Sequence, residues 1–526
     1  MTRYLLKRIL RGILSIIIVV SIVMILVYTF MDRKLVLAND PLYTKKMHNA
    51  KEAYKYQQWE RYGYLDYVPY ADYLKELLKA GEITQDTYNE AVKFGNKPSN
   101  DSQIAAEYIE KFTQSYQEQG YEIIRLDAKT KPGTLNKYHP GGEPCLFAVK
   151  DIPLMGRLWN YLTDLFFIDN INYVEEDIGE RGLTFTLYDP AYGGEKFAPA
   201  VIGNGTKHKY LIYTNDTFPY IHQNMITLNL GESYAVNTGE EVFDVMTRSQ
   251  GSYKKSTVLY PSGVVMESAD DVHSATYVAG SLANGTAVSK ECFTDDYTNV
   301  GTNKNGLSRM GYSFVIGILS VILAYLLAVP LGISMALKKD KLIDKLGTFY
   351  IVFIMAVPSL GYIFMFKTIG GKIGLPTTFD MENPTWIMFV LPIVSLALPS
   401  VANLMKWLRR YMIDQMNSDY VKFARSGGLS EGEIFRKHIL KNAIIPIVHG
   451  VPGSVLGALT GAIITESVYV VPGVGNVLTN AINAYDNGVI VGVTLFYATL
   501  SVTSIILGDI LMSMVDPRIS FTKKAR

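Results

Sequence analysis

Residues 310–337 read MGYSFVIGILSVILAYLLAVPLGISMAL, a run without Asp, Glu, Lys or Arg. A helix needs about 20 apolar residues to cross ~30 Å of hydrocarbon, and this run exceeds that length. Five further stretches share its character: 12–31, 346–366, 384–405, 442–465 and 488–508. Peptide groups in lipid must be bonded within their own segment, so each stretch reads as a helix. One such run is compatible with a buried core helix. Six predict an α-helical polytopic membrane protein with six transmembrane helices.

Composition agrees. Hydrophobic residues are 48% of the 526 and charged residues 19%, too apolar for a large soluble protein and too charged for a bare bundle. A membrane portion joined to a soluble one explains both figures. A net charge of +1, with no basic tract carrying interleaved aromatics, argues against nucleic acid as a partner. The first stretch has a second reading, a cleaved signal peptide with Arg3, Lys7, Arg8 and Arg11 ahead of it and Val36-Leu37-Ala38 behind. Its apolar run is too long for that, and Asp32, Arg33 and Lys34 intervene.

Basic residues near span ends collect on the cytoplasmic side. Four precede the first span, four lie between spans two and three (Lys338, Lys339, Lys341, Lys345), eight lie in 406–441, and four follow the last span. The alternate short loops hold only Lys367 and Lys372. Twenty against two predicts cytoplasmic termini, a cytoplasmic segment 406–441, and residues 32–309 outside. The chain thus divides into 1–31 (N-terminus and first helix), 32–309 (outside domain) and 310–526 (helices two to six).

The outside segment reads as α+β. Residues 70–80 and 102–119 carry apolar residues at helical spacing, with Ser102 as cap and Gly120 as stop. Residues 183–188 and 209–214 read as strands. The tyrosines from Tyr54 to Tyr73, with Trp59, suit either a contact surface or the domain's own core. Cys145 and Cys292 share a non-reducing compartment and are candidates for a disulfide, two free thiols being the alternative. No CxxC pair or other metal-ligand cluster occurs.

The inner segment reads Asp419-Tyr-Val-Lys-Phe-Ala-Arg-Ser-Gly-Gly-Leu-Ser-Glu431, then His438-Ile-Leu-Lys-Asn442-Ala-Ile-Ile-Pro446. Two short helices meeting at Gly427-Gly428, where φ > 0 costs little, and a Ser430-x-x-Glu433 capping box are legible here. His438, Asn442 and Pro446 recur every four residues, one face of a helix leading into span five. Later come Glu466-Ser-Val-Tyr-Val-Val-Pro472-Gly473-Val-Gly475, then Asp486, Asp509 and Asp516-Pro517-Arg518. Glu466 and Asp509 are ionisable groups at span ends, which usually face a bundle interior or water.

These segments resemble the ABC importer permeases of the dipeptide/oligopeptide family. That family carries Tyr-(Val/Ile)-x-x-Ala-Arg-x-x-Gly-Leu-Ser, then His-x-x-x-Asn-Ala-x-x-Pro, in its coupling loop. Tyr420, Ala424, Arg425, Gly428, Leu429, Ser430, His438, Asn442, Ala443 and Pro446 match. Further on the family has Glu-x-x-(Phe/Tyr)-x-x-Pro-Gly-x-Gly, and Leu230-Gly231-Glu232-Ser233 resembles its Leu-Gly-x-Ser box. Departures are Gly427 for a basic residue, Asn487-Gly488 for Tyr-Pro, and Ser504 for Asn. The resemblance covers 1–31, about 226–246 and 307–526. The enlarged outside domain is similar to that of the first permease of Gram-positive oligopeptide importers, the Opp/Ami type.

The resemblance implies a type I ABC importer permease fold in a bacterial cell membrane. It implies a homologous second permease, two ABC ATPase chains docking on the loop, a peptide-binding lipoprotein outside and a peptide substrate. Glu466, Pro472, Gly473, Gly475 and Asp486 are then expected at an outer gate, and Asp509 and 516–518 as anchors or partner contacts. The residues themselves agree on one point: no GxxxxGK[ST] loop is present, so ATP and Mg belong to other chains and this one is no enzyme. A dipeptide or nickel permease is the alternative within transport. A membrane-anchored sensor is the alternative outside it, disfavoured because the longest inner segment is 406–441.

Overall fold

The computed structural model describes residues 2–134, 137–176, 178–214, 221–381 and 384–515. Among them five helices are long and apolar enough to cross a membrane: 6–30 within helix Thr2–Phe30, then Arg309–Leu337, Trp386–Met416, Val451–Tyr469 and Asn487–Val515. The expected span 346–366 is a bent pair instead. Helices Leu342–Ala356 and Ser359–Lys372 meet at 109°. Pro358 is the cause: it forces the residue before it out of the helical region, and Val357 is extended at φ −84°, ψ 129°. The count is therefore five, or six with the bent pair as one span.

The expected span 442–465 is also divided. Helix Lys441–His449 ends at Gly450, and Val451–Tyr469 starts afresh. Pro330, Pro399 and Pro446 lie inside helices. Helices 309–337 and 390–416 pack closely through small residues, Ala324 and Ala328 against Ala397 and Ala402. Gly332 admits Leu408 so tightly that a Cβ there would lie 3.3 Å from it. Small residues at such contacts let backbones approach, the usual basis of helix association in lipid.

Between the first two long helices the chain builds an α+β insertion. Its first lobe is an antiparallel sheet in which Cys145–Asp151 lies between Leu65–Pro69 and Glu122–Leu126. Helices Tyr70–Lys79 and Gln103–Glu118 pack on it, the latter capped by Ser102 accepting from Ala105 N at 3.1 Å. Trp59, Tyr62, Tyr64, Tyr67 and Tyr70 are buried, so these rings form core and not a contact surface. The second lobe holds the sheet Gly182–Thr186, Ala200–Asn204, Tyr210–Thr214, Ile221–Gln223, in that order. There Asp169 is buried, with His208 Nε2 standing 3.3 Å from its Oδ2.

The disulfide expectation fails. Cys145 and Cys292 are both free, because Cys145 belongs to the first lobe's core and Cys292 to the second's.

Candidate functional site

The helix Val390–Met416 runs straight into the loop. Helix Asp419–Ser426 follows, then a turn in which Gly428 takes φ +81° and Gly427 φ −77°. Only Gly428 uses the left-handed region. Ser430 and Glu433 form the predicted capping box. The chain then makes a π-helical turn, Phe435–Leu440, before helix Lys441–His449. His438 lies in that turn, and Asn442 and Pro446 lie in the helix that follows it.

His438 and Asn442 meet around one ring, that of Tyr420. Tyr420 OH donates to Gln415 and receives the Asn442 Nδ2 hydrogen at 3.0 Å, and the His438 ring lies 6.3 Å away. Arg425 is paired within the loop at its surface, with Nε and Nη2 at 2.5 and 3.0 Å from the exposed Glu431 carboxylate. That hydrogen bond holds the Glu431 carboxyl below its ordinary value. Tyr420 and Arg425 thus shape the loop. The residue that projects is Phe423, 81% exposed on the same helix as buried Val421. Sequence reading passed over it, although an aromatic ring two residues from Val421 on a short helix between Lys422 and Arg425 was a signal.

Above the loop lies a cavity of about 710 Å³. Ser395, Ser400 and Asn403 line it from helix 390–416, Pro446 from 441–449, and Ser454 and Thr465 from 451–469. None of its lining residues is charged. Thr465 Oγ1 is buried there without a hydrogen-bond partner. The two helices that carry the loop are therefore two of the cavity's walls.

The residues expected at the gate lie away from this cavity, and Glu466 and Asp486 are bonded within the chain. Glu466 is fully buried and accepts from Ser313 Oγ at 2.6 Å and Asn476 N at 3.3 Å. It joins helix 309–337 to the start of helix Val474–Ala484. Gly473 leaves no room for a Cβ against the Glu466 carboxylate, and at Gly475 a Cβ would lie 2.6 Å from Ile463 Cα. Asp486 is also fully buried. It accepts from Ser233 Oγ at 2.6 Å and from the amides of Tyr234, Ala235 and Val236 at 2.9 to 3.1 Å. The Leu230–Ser233 box is thereby bound to the head of the last helix.

The Asn487-Gly488 departure has a reason here. Asn487 Nδ2 donates to Tyr64 OH of the insertion at 2.7 Å, and Gly488 makes room for the Glu232 carbonyl. Asp509 pairs with Arg8 of the first helix. Asp516, Pro517 and Arg518 lie outside the described residues. Arg409, read only as a topology signal, forms a bidentate pair with Asp344 at 2.6 and 2.7 Å. Among the described residues no group of His, Cys, Asp and Glu could hold a metal ion.

Three comparisons bear on this geometry. The family of binding-protein-dependent transport system inner membrane components matches residues 328–521. The oligopeptide transport system permease protein AmiC of Streptococcus pneumoniae is 34% identical over 530 residues, covering 100% of this chain and 99% of its own. The dipeptide transport system permease protein DppB of Lactococcus lactis is 31% identical over 229 residues, covering 42% of this chain and 73% of its own. A crystal structure of an amino acid ABC transporter covers 40% of this chain and 92% of its own at 19% identity, but its TM-score of 0.32 carries no argument.

Proposed function

The chain belongs to the binding-protein-dependent inner-membrane transport components, on the branch of the oligopeptide permeases, and from that premise we infer that it is one membrane-spanning half of an ATP-driven oligopeptide importer. The observation that carries the reading is continuity: the helices that line the uncharged cavity are the helices that carry the 419–441 loop. A rigid push on the loop reaches the cavity wall without an intervening joint. The substrate passes through the cavity with a homologous second permease closing its open side. Two ABC ATPase chains, which bind ATP and Mg, press on the loop, and a lipoprotein delivers peptide from outside.

An uncharged, hydroxyl-lined wall suits peptide backbones of many sequences, because it offers hydrogen bonds without selecting a side-chain charge. The dipeptide alternative is weaker: the match to the dipeptide relative covers 42% of this chain, and that to the oligopeptide relative covers all of it. The basic-residue asymmetry supports cytoplasmic termini, a cytoplasmic 406–441 and an extracellular 32–309.

Gly453 offers the test of the path, since it lines the cavity and a Cβ there meets nothing within 4 Å. Gly453→Trp in the reconstituted complex is expected to abolish uptake of labelled peptide while leaving abundance and ATP hydrolysis intact. Normal uptake would remove the cavity from the pathway. Orientation is tested by an impermeant maleimide on intact cells, with single cysteines at Ser99 and Gly427 in a Cys-free background. Labelling at Gly427 and not at Ser99 would reverse it.

A further inference from the structure

The helix Leu154–Thr163 is apolar over more of its circumference than protein covers. Leu158, Tyr161 and Leu162, with Leu165 just beyond, share a core with Val20, Met24 and Tyr28 of the first helix. Met155 and Trp159, four residues apart and so on one face, are exposed, Trp159 to 69%. The apolar surface runs on past the helix. Phe166, Phe167 and Ile168 form a strand with all three side chains exposed, and Ile171 follows, also exposed.

The helix's one cation is turned to the protein. Arg157 donates Nε to Ile152 O at 3.0 Å and Nη2 to Tyr64 O at 2.8 Å, and its guanidinium lies 4.5 Å from the Tyr64 ring. Asn160 and Asp164 fall well round the helix from Met155 and Trp159 at 100° per residue. No charge of this helix shares the Met155–Trp159 face.

Depth selects the occupant of that face. Leu158 shares its core with Met24, which at ~1.5 Å per residue sits roughly 9 Å inside the Phe30 end of the first helix. An interfacial helix buries its apolar face by about 5–10 Å into the headgroup and acyl boundary. The neighbouring surface of the first helix is apolar and exposed as well, through Ile18, Ile22, Ile25 and Leu26. Trp is favoured at that level because its ring is amphipathic.

We propose that the 154–163 helix and the Phe166–Ile171 segment lie in the plane of the membrane, with Met155, Trp159 and Phe166 in the acyl region of the leaflet on the insertion's side. The insertion is then seated on lipid, and its height above the bundle is set by this helix as well as by its chain connections. The inference rests on the reading of 2–30 as a membrane span.

The test uses the full complex in proteoliposomes, with Trp159 left as this chain's sole tryptophan by Trp59→Phe, Trp386→Phe and Trp407→Phe. The ATPase partners are compared with and without Trp159→Phe to subtract their emission. Phosphatidylcholine brominated near the headgroup end of its acyl chains is expected to remove most Trp159 emission, and aqueous iodide almost none. Iodide quenching would place the face in water, and quenching by neither would place it under another protein; either result overturns the proposal. Uptake of labelled peptide is measured in the same vesicles, so that normal uptake with failed lipid quenching sinks this inference alone. If the triple variant is inactive, a nitroxide at Trp159→Cys in a Cys-free background answers the same question, through its relaxation by oxygen against a water-soluble nickel chelate.

Discussion

In the proposed orientation, the inner loop and the outer junction of the bundle hold their charges in opposite ways. In the loop, Arg425–Glu431, Lys422–Asp419 and Lys437–Glu433 join near neighbours in sequence and stand in solvent. At the outer junction Glu466 and Asp486 are fully buried, and Asp486 is satisfied by a segment some 250 residues away. Exposed pairs are weak and screened, so the loop can exchange them for a partner's contacts at little expense. A buried carboxylate ringed by amides has no such freedom, since any donor left unpaired there is costly. One end is held by exchangeable contacts and the other by fixed ones.

The largest expected effect is at Gly428. Its φ of +81° disfavours any side chain by about 1–2 kcal/mol, and a bulky cation there also obstructs docking. Gly428→Arg is expected to abolish peptide uptake with the chain still inserted at normal abundance. Wild-type transport by this variant would remove the loop from coupling and dissolve the contrast.

Asp486→Ala comes next and should act on stability instead. It strands Ser233 Oγ and three backbone amides, at about 1–3 kcal/mol for each buried donor that finds no other partner. A drop in melting temperature and abundance is expected, visible also in detergent without partner chains. An unchanged melt would place the outer junction in the same class as the loop.

Within the loop, Phe423→Ala should lower uptake and peptide-stimulated ATP hydrolysis without moving the melt, because the ring is exposed. Arg425→Ala should lower them less, since its partner Glu431 is an exposed neighbour. The reverse order would make charge, and not the projecting ring, the docking contact.

The smallest effect concerns the insertion, where buried Asp169 and half-buried His208 extend the contrast to a second site. Burial raises Asp169 to about 6 and lowers His208 to about 4. As pH falls, the folded chain takes a proton on Asp169 near the pH at which an unfolded histidine takes one, about 6.5. The two uptakes nearly cancel, and stability stays almost flat. Asp169→Asn removes the folded-state acceptor, so stability should fall as pH drops below about 6.5, the unfolded state then binding the extra proton. Thermal melts of the variant at about pH 7.5 and about pH 5 read this slope, and a flat response would show that His208 is not held neutral by burial.

Local patterns in the sequence were enough for several elements. The apolar runs, the Ser102 cap, the Ser430–Glu433 box and the left-handed glycine each depend on residues within about four positions. Hydrogen bonding and backbone sterics act at that range, and the structure bears out the cap, the box, the glycine and four of the six runs as single helices. The break at Pro358 was half legible: a proline marks a break, and its 109° angle is read only from the structure. Tertiary structure alone decided that Asp486 seeks Ser233, that Tyr420 gathers His438 and Asn442, that Cys145 and Cys292 stay apart, and that Ser395 and Ser400 face the same cavity as Ser454 and Thr465. A buried carboxylate or thiol finds its partner through the packing of distant elements, and spacing along the chain carries no record of which elements will meet.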